Sequence, residues 1–162
     1  MSNVLSLIKS IQEIAGKAPC KKTVQKIAYL IQEAHEDLGF DYSIHFYGPY
    51  SADLDSEIRY LCSCGDLAIK IEDYGHMLSV ADSLDVPPSN NTIQKIISSF
   101  CSKSPSDLEL LATTLYVQRE ITGATSKDII DGVVKIKGTK YLESQIREAI
   151  TELESNNYFK IA

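Results

Sequence analysis

Long apolar runs are missing from this sequence. No stretch approaches the roughly 20 apolar residues that a membrane-spanning helix needs. Polar residues interrupt the first 14 positions every two or three residues, whereas a secretory signal requires a continuous apolar segment. We therefore expect a cytoplasmic protein that does not enter the membrane.

Cysteines and catalytic motifs are also few. The four cysteines, Cys20, Cys62, Cys64 and Cys101, are too sparse in 162 residues for a disulfide framework, and we expect reduced thiols. Cys62 and Cys64 point to different helical faces, and no second pair completes a zinc site. Glycine-rich phosphate loops, nucleophile elbows and the HExxH pattern are absent. The sequence thus predicts no metal, no cofactor and no enzymatic activity; a metal or thiol enzyme is the third alternative.

Basic residues are outnumbered by acidic ones. The chain has 16 Lys and Arg against 22 Asp and Glu, a net charge of −6. A protein that binds duplex DNA through phosphate contacts normally shows a basic footprint, because counterion release supplies most of the affinity. The overall charge therefore argues against DNA, although a local basic patch would override it. With 44% apolar and 23% charged residues, the 162-residue chain fits one compact domain or two small units sharing a core.

Apolar periodicity predicts three helices and a strand in the first part of the chain. Helical spacing predicts helices that stop at Gly16, Gly39 and Gly65, where glycine favours a C-cap. Alternation over residues 40–47 predicts a half-buried strand, which Gly48-Pro49 breaks before the third helix begins.

A β-hairpin is predicted next. Residues 67–80 alternate on both sides of a turn at Asp73-Tyr74-Gly75. Three helices followed by a hairpin form the pattern of a winged helix-turn-helix, with the hairpin as the wing. We assign residues 1–82 to this unit.

The second half is predicted to be helical and wingless. Residues 83–91, with Pro87-Pro88, form a predicted linker. Residues 92–162 predict four helices in a helix-turn-helix-like order, with the last over Thr139–Ser155 and a terminal strand at Tyr158–Ile161. Capping residues predict helix starts at Ser104 and Thr125 here and at Ser51 in the first half. This unit is expected to pack on the first. The predicted fold class is mostly α with a small β-hairpin wing.

Three motifs carry a resemblance to known proteins. The run Lys26–Gln32, the Phe46-Tyr47-Gly48-Pro49-Tyr50-Ser51 turn and the later Leu108–Thr113 segment resemble the YwgA-like uncharacterised bacterial and archaeal proteins. They resemble more distantly the SocA-like (Panacea) antitoxins. The first resemblance implies a winged-helix fold, and the second implies binding and neutralising a partner protein. The wingless second half departs from a plain DNA-binding repressor.

The turn after the first strand is the predicted partner site. Glycine permits a backbone conformation that costs other residues, and proline fixes φ at the entry to a helix. Exposed tyrosines beside such a rigid turn are common binding anchors, while the alternative is that both pack against the second helix. The predicted partner-binding residues lie in this turn and the acidic helix after it: Tyr47, Gly48, Pro49, Tyr50, Asp53 and Glu57.

Duplex DNA is the rival ligand. Residues 51–64 carry three acidic residues against Arg59, and residues 139–155 carry four against two basic ones, so each candidate recognition helix is net −2. Two basic clusters remain as phosphate contacts or as solvated helix ends: Lys17, Lys21, Lys22 and Lys26, and Lys135, Lys137 and Lys140. We therefore predict a protein-interaction module, antitoxin-like or an adaptor, with a DNA-binding transcriptional regulator as the alternative and a homodimer left open.

Overall fold

The computed structural model describes residues 2–73 and 75–161. Within these residues the chain is mostly helical, with seven α-helices and two short antiparallel hairpins. The helices are α1 (Asn3–Ala15), α2 (Lys21–Glu33), α3 (Ala52–Ser63), α4 (Asn91–Phe100), α5 (Pro105–Glu120), α6 (Ser126–Lys137) and α7 (Glu143–Ser155). The strands are β1 (Ser43–His45) paired with β2 (Gly48–Tyr50), and β3 (Leu67–Glu72) paired with β4 (Gly75–Val80). None of the helices in the described ranges combines the length and apolar character needed to cross a membrane.

Several helix ends lie where local sequence predicts them, but the end predicted at Gly39 is wrong, because α2 already ends at Glu33. The hydroxyls of Ser51 and Ser104 each accept a backbone N–H from the first turn of α3 and α5. Thr125 and Asp128 form a reciprocal capping box at the start of α6. Gly16, with a φ of +73°, ends α1 in the left-handed conformation. The hairpin predicted over residues 67–80 is confirmed, and Tyr74, which was predicted in its turn, lies outside the described residues.

The strand predicted over residues 40–47 is wrong in its extent. The extended pairing covers only Ser43–His45, and the chain then folds back so that Ile44 pairs with Pro49. Gly48-Pro49 therefore does not end the sheet but supplies its second strand. Phe46 lies at the tip of this hairpin and is 83% exposed, because the reversal carries it away from the buried side of the strand.

The C-terminal end also differs from the sequence-based prediction. The last helix begins at Glu143 rather than Thr139, and Leu142 occupies the extended N-cap position. Leu142 is 68% exposed, although its apolar spacing matches that of the buried residues of α7. Residues 158–161, although all described, form no strand. Tyr158 instead packs inward and donates its hydroxyl to the backbone oxygen of Leu30, 2.7 Å away.

Helix α5 lies at the centre of the molecule. It contacts α2 and β2 from the first half and α6 and α7 from the second. Buried residues occupy all of its sides, including the polar Glu109, Thr113 and Thr114. One cluster of buried apolar side chains contains residues from both sides of the predicted linker, including Val86 within the linker itself. The domain boundary at residues 83–91 stays a prediction. Because α5 contacts β2 as well as α6 and α7, residues from both halves of the chain lie next to the Tyr47–Tyr50 turn.

Candidate functional site

Two polar side chains of α2 form hydrogen bonds with the backbone of the Tyr47–Tyr50 turn and of Ser51, which follows it. The amide of Gln25 accepts the Ser51 N–H and donates to the Ser51 carbonyl, each at 2.9 Å. The neighbouring Lys26 ammonium donates to the carbonyl of Pro49 at 2.5 Å. Both side chains are buried, so these bonds are shielded from water and fix the path of the turn.

Gly48 lets the turn approach α5 closely. Its φ is +91°, a backbone conformation that residues with a side chain rarely adopt. A Cβ at this position would lie 2.6 Å from Thr113 Oγ1. Gly48 and Pro49 are buried and therefore act as structural residues of the predicted site rather than as contacts for a partner.

Glu109 of α5 gathers three lysines beneath the turn. Its side chain is fully buried, with Lys22 Nζ 2.8 Å from Oε1, and with Lys140 Nζ at 2.7 Å and Lys137 Nζ at 3.2 Å from Oε2. The Tyr141 hydroxyl lies 2.8 Å from Oε2. Burial by itself raises the pKa of Glu109, but Lys140, Lys22, Tyr141 and Lys137 together outweigh it and hold the pKa at about 2. One carboxylate thus faces three ammonium groups and leaves two positive charges uncompensated.

Lys26 is buried beside these lysines. Burial, together with the charges of Lys22 and Lys137, lowers its pKa to about 7, and the opposing attraction of Glu109 does not restore it. Burial is the largest cause, so the low pKa of Lys26 reflects mainly the removal of its ammonium group from water.

Tyr47 and Phe46 project from the turn above these lysines. Tyr47 is 54% exposed, and its ring centroid lies 4.5 Å from Lys22 Nζ and 5.6 Å from Lys140 Nζ. These distances are typical of cation–π contacts. The Phe46 ring packs edge-on against Tyr47 with centroids 4.9 Å apart. We call Phe46, Tyr47, Lys22 and Lys140 the docking surface.

Tyr50 corresponds to neither sequence-based alternative. It is half-buried, and its ring centroid lies 4.6 Å from that of His45 in the paired strand. Burial also raises its pKa, assisted by Asp55. Tyr50 is thus a partly accessible wall beside the docking surface, neither a core residue nor a projecting anchor.

The acidic helix α3 contributes internal ion pairs. Asp55 is buried, accepts hydrogen bonds from Arg59 and lies 3.2 Å from Lys21 Nζ. Burial opposes its ionisation, but Arg59 and Lys21 lower the pKa of Asp55 nonetheless. Glu57 accepts a hydrogen bond from the Ser2 hydroxyl at the start of α1, whereas Asp53 is exposed.

The two basic clusters predicted from sequence meet in space. Lys22 from the first cluster and Lys137 and Lys140 from the second share Glu109. Their interpretation as solvated helix ends is wrong for Lys26, which is 2% exposed, and for Lys137, whose side chain is 4% exposed. Of the other three predicted lysines, Lys21 pairs with Asp55, while Lys17 and Lys135 are exposed and form no ion pair within residues 2–73 and 75–161.

Sequence reasoning missed Glu109 and Tyr141. Glu109 carried a signal, because it stands inside the apolar run Leu108-Glu109-Leu110-Leu111 of a helix that is buried on all sides. A carboxylate in that position requires buried partners. Its partners come from sequence positions up to 87 residues away, and no local pattern identifies them.

A pocket of about 500 Å³ opens next to the docking surface. Its walls come from the start of α2, the turn, α3 and the β3–β4 hairpin: Cys20, Lys21, Lys22, Gln25, Lys26, Tyr47, Tyr50, Asp55, Gly75 and His76. Across the described part of the chain, no three His, Cys, Asp or Glu side chains are grouped so as to hold a metal ion. Cys20 serves as the N-cap of α2, and burial raises the pKa of Cys62 and Cys101.

Comparison with known proteins shows similarity to an uncharacterised bacterial protein. No family model matches the sequence. The chain is 30% identical over 155 residues to the uncharacterised protein YwgA of Bacillus subtilis, and the alignment covers 86% of this chain and 88% of that protein. The similarity therefore extends over both halves of the molecule and is not confined to one motif. The chain belongs to the YwgA-like family.

Proposed function

We propose that this protein is a non-enzymatic binding module and that it binds a partner protein through the docking surface, which consists of Phe46, Tyr47, Lys22 and Lys140. The observation that carries the proposal is the pair of large aromatic side chains, Phe46 and Tyr47, which are 83% and 54% exposed. Clustered exposed aromatics are costly in water and are enriched at the centres of protein interfaces. The turn beneath them is fixed by buried hydrogen bonds, so binding would lose little conformational entropy.

The positive charge around the aromatic pair favours a partner that presents an acidic segment to this surface. Lys22 and Lys140 flank Tyr47, and the three lysines at Glu109 carry a net excess of two positive charges. The whole chain has a net charge of −6, so an acidic partner is attracted only to a local basic region. Such complementarity selects the docking surface and disfavours other approaches.

The fold-level resemblance is part of the same proposal. We infer that α1–α3 with the β3–β4 hairpin correspond to a winged helix-turn-helix, and that the protein acts in the cytoplasm. The resemblance to SocA-like antitoxins supports a role in binding and neutralising or regulating another protein. It is an argument by analogy, and the exposed aromatic pair carries the physical case.

Duplex DNA is the less favoured ligand. A DNA-binding surface spreads its basic residues along a groove or around a recognition helix. Here Lys22, Lys137 and Lys140 are concentrated on one carboxylate, and Lys21 is paired with Asp55. The concentration fits a compact anionic group better than two strands of phosphates.

Affinity capture with matched variants tests the proposal. Tagged wild-type protein, a Phe46→Ala/Tyr47→Ala double variant and an Ile71→Ala control would be used to capture proteins from a lysate of the source organism. Ile71 is 76% exposed on the β3–β4 hairpin, so the control also removes an exposed apolar side chain. We expect a specific protein to be retained by the wild type and by the control and lost from the double variant.

The stability of each variant separates binding from folding. Surface substitutions change stability by about 0.5 kcal/mol or less, so all three proteins should melt at nearly the same temperature. Capture of the same proteins in equal amounts by the double variant would disprove docking at this surface. Nuclease-sensitive, salt-dependent retention would instead point to the nucleic-acid alternative.

A further inference from the structure

We propose that the pocket between the start of α2 and the Tyr47–Tyr50 turn binds the phosphate group of a phosphate monoester. Lys21, Lys22 and Lys26 supply the positive charge, and Tyr47 and Tyr50 pack against the organic part of the ligand. This inference goes beyond protein docking, because the pocket would bind its ligand whether or not a partner protein is present.

The charge balance of the pocket calls for an anion. Three lysines line it against a single acidic residue, Asp55, which leaves a net charge of +2 when Lys26 is protonated. Lys137 and Lys140 add two more positive charges on the far side of Lys22, and Glu109 offsets only one of them. A phosphate monoester carries close to two negative charges above its second pKa near 6, which matches the excess in the pocket.

Lys26 is difficult to explain as a structural residue alone. Its ammonium is buried and its hydrogen bond in the structure is to one backbone oxygen, that of Pro49, although it has three donors. The charged groups that face it are Lys22 on α2, Glu109 on α5 and Lys137 on α6, so repulsion from two lysines acts against attraction from one carboxylate. A bound dianion would supply the missing negative charge.

The start of α2 strengthens the same field. The N-terminal end of a helix carries a partial positive charge, and its first N–H groups have no partner within the helix. Acidic residues usually occupy such a first turn, but α2 has none there and has Lys21 and Lys22 instead. The helix end disfavours the two lysines, Asp55 and Glu109 offset this repulsion, and a bound anion would add a further attraction.

The size and walls of the pocket favour a monoester over free phosphate. A volume of about 500 Å³ is larger than a phosphate ion requires and lies in the usual range for small-molecule sites. The tyrosine rings offer apolar area beside the basic end. The phosphate could belong to a small molecule or to a phosphorylated side chain, since both present the same group.

Isothermal titration with phenyl phosphate at constant ionic strength tests the proposal. Phenol and inorganic phosphate serve as probes that lack the charge or the ring. We expect saturable 1:1 binding of phenyl phosphate, at least tenfold weaker binding of inorganic phosphate, and none of phenol. A phosphotyrosine peptide and its unphosphorylated form are titrated in parallel: tighter binding of the phosphopeptide assigns the phosphate to a protein, and tighter binding of phenyl phosphate assigns it to a small molecule.

The chain offers a closely matched control. Lys22 is 27% exposed and lies 2.8 Å from a glutamate, and Lys103 is 26% exposed and also lies 2.8 Å from a glutamate, Glu152. Lys22→Gln should weaken phenyl phosphate binding at least tenfold, whereas Lys103→Gln should leave it within twofold. Lys21→Gln provides a second test that leaves Glu109 fully paired, and it should weaken binding in the same direction.

A proton-linkage measurement tests the role of Lys26. At pH 8 the phosphate is already dianionic and Lys26 is mostly neutral, so binding should take up close to one proton. Titration in two buffers of different ionisation enthalpy measures this uptake, and Lys26→Met should abolish it. No saturable binding of phenyl phosphate, equal losses in Lys22→Gln and Lys103→Gln, or unchanged proton uptake in Lys26→Met would each overturn the proposal. None of these results depends on capture of a partner protein.

Discussion

Replacing Glu109 by glutamine removes the one negative charge on which three lysines converge while keeping the size of the side chain. Glu109 is fully buried, and Lys22, Lys137 and Lys140 all lie within 3.2 Å of its carboxylate. The amide in Glu109→Gln can still accept hydrogen bonds, so packing is preserved and the change is mainly electrostatic. The variant therefore isolates the contribution of the charge.

The expected loss follows from the shifted pKa. Folding lowers the pKa of Glu109 from 4.5 to about 2, and at about 1.4 kcal/mol per pKa unit this corresponds to about 3 kcal/mol at pH 7. Removing one partner of a buried ion pair typically costs about 3–5 kcal/mol, a range that includes the value obtained from the pKa shift. For a chain of this size such a loss lowers the melting temperature by roughly 6–12 °C. Glu109 thus ranks with a large core side chain in its effect on stability.

The stabilisation that Glu109 contributes should decrease as the pH falls. Because folding lowers the pKa of Glu109, its stabilisation is complete above about pH 4.5 and is lost as the pH falls towards 2. Urea unfolding of the wild type and Glu109→Gln, followed by far-ultraviolet circular dichroism between pH 3 and 7, should show a gap that narrows at low pH. Glu152→Gln, which removes a 32% exposed partner of Lys103, is the control and should cost about 1 kcal/mol or less. A Glu109→Gln variant as stable as the wild type at pH 7, or a gap independent of pH, would refute the reasoning.

Two further substitutions test the turn and the buried lysine. Gly48→Ala combines a φ of +91° with a Cβ only 2.6 Å from Thr113 Oγ1, so it should destabilise the protein by at least about 2 kcal/mol in urea unfolding. Adding Thr113→Ala should recover only part of that loss, because the backbone strain remains; full recovery would contradict the assigned strain. The free energy of unfolding of Lys26→Met, relative to that of the wild type, should be highest at or below pH 7 and should fall as the pH rises to 10.5. Between pH 7 and 10.5 the wild type binds the Lys26 proton only when it is unfolded, so raising the pH stabilises the wild type and not the variant. Urea unfolding from pH 7 to 10 should show that the difference in free energy of unfolding between the two proteins changes by at most about 5 kcal/mol. A difference that stays constant would show that the pKa of Lys26 is the same in the folded and unfolded states.

The parts of the fold that sequence predicted are those set by local chemistry. Ser51, Ser104 and Thr125 begin helices because a hydroxyl can accept an N–H from the first turn without help from distant residues. The β3–β4 hairpin follows in the same way from alternation around a turn. These elements need only the residues within a few positions of one another.

The misjudged parts depend on contacts that local patterns do not contain. Leu142 fits the apolar spacing of the last helix, yet it lies before that helix starts and is exposed. Gly48-Pro49 has the composition of a strand break, yet Gly48 packs against Thr113 of α5 and the chain pairs back onto β1. In each case tertiary packing overrode a correct statement about residue type.

The glutamines of α2 show what a closer sequence argument would need. Gln25 and Gln32 lie seven residues apart, two helical turns, and each forms two hydrogen bonds with the backbone N–H and C=O of one residue, Ser51 for Gln25 and Phe40 for Gln32. Two amides on one helical face, in a helix whose other face is apolar, are a recognisable pattern for binding an extended segment. The pattern predicts such a segment but not which part of the chain supplies it.

The docking surface requires both halves of the chain. Lys22 comes from the first half, while Lys140 and the buried Glu109 come from the second, beyond the predicted linker. Without Glu109, the ammonium groups around Tyr47 would repel one another, and Lys26 would lose its one attractive charge. Glu109 therefore keeps the lysines together in the absence of a ligand yet balances only one of their charges. A single carboxylate in this place stabilises the fold and still leaves two positive charges, which the proposed anionic ligand would balance.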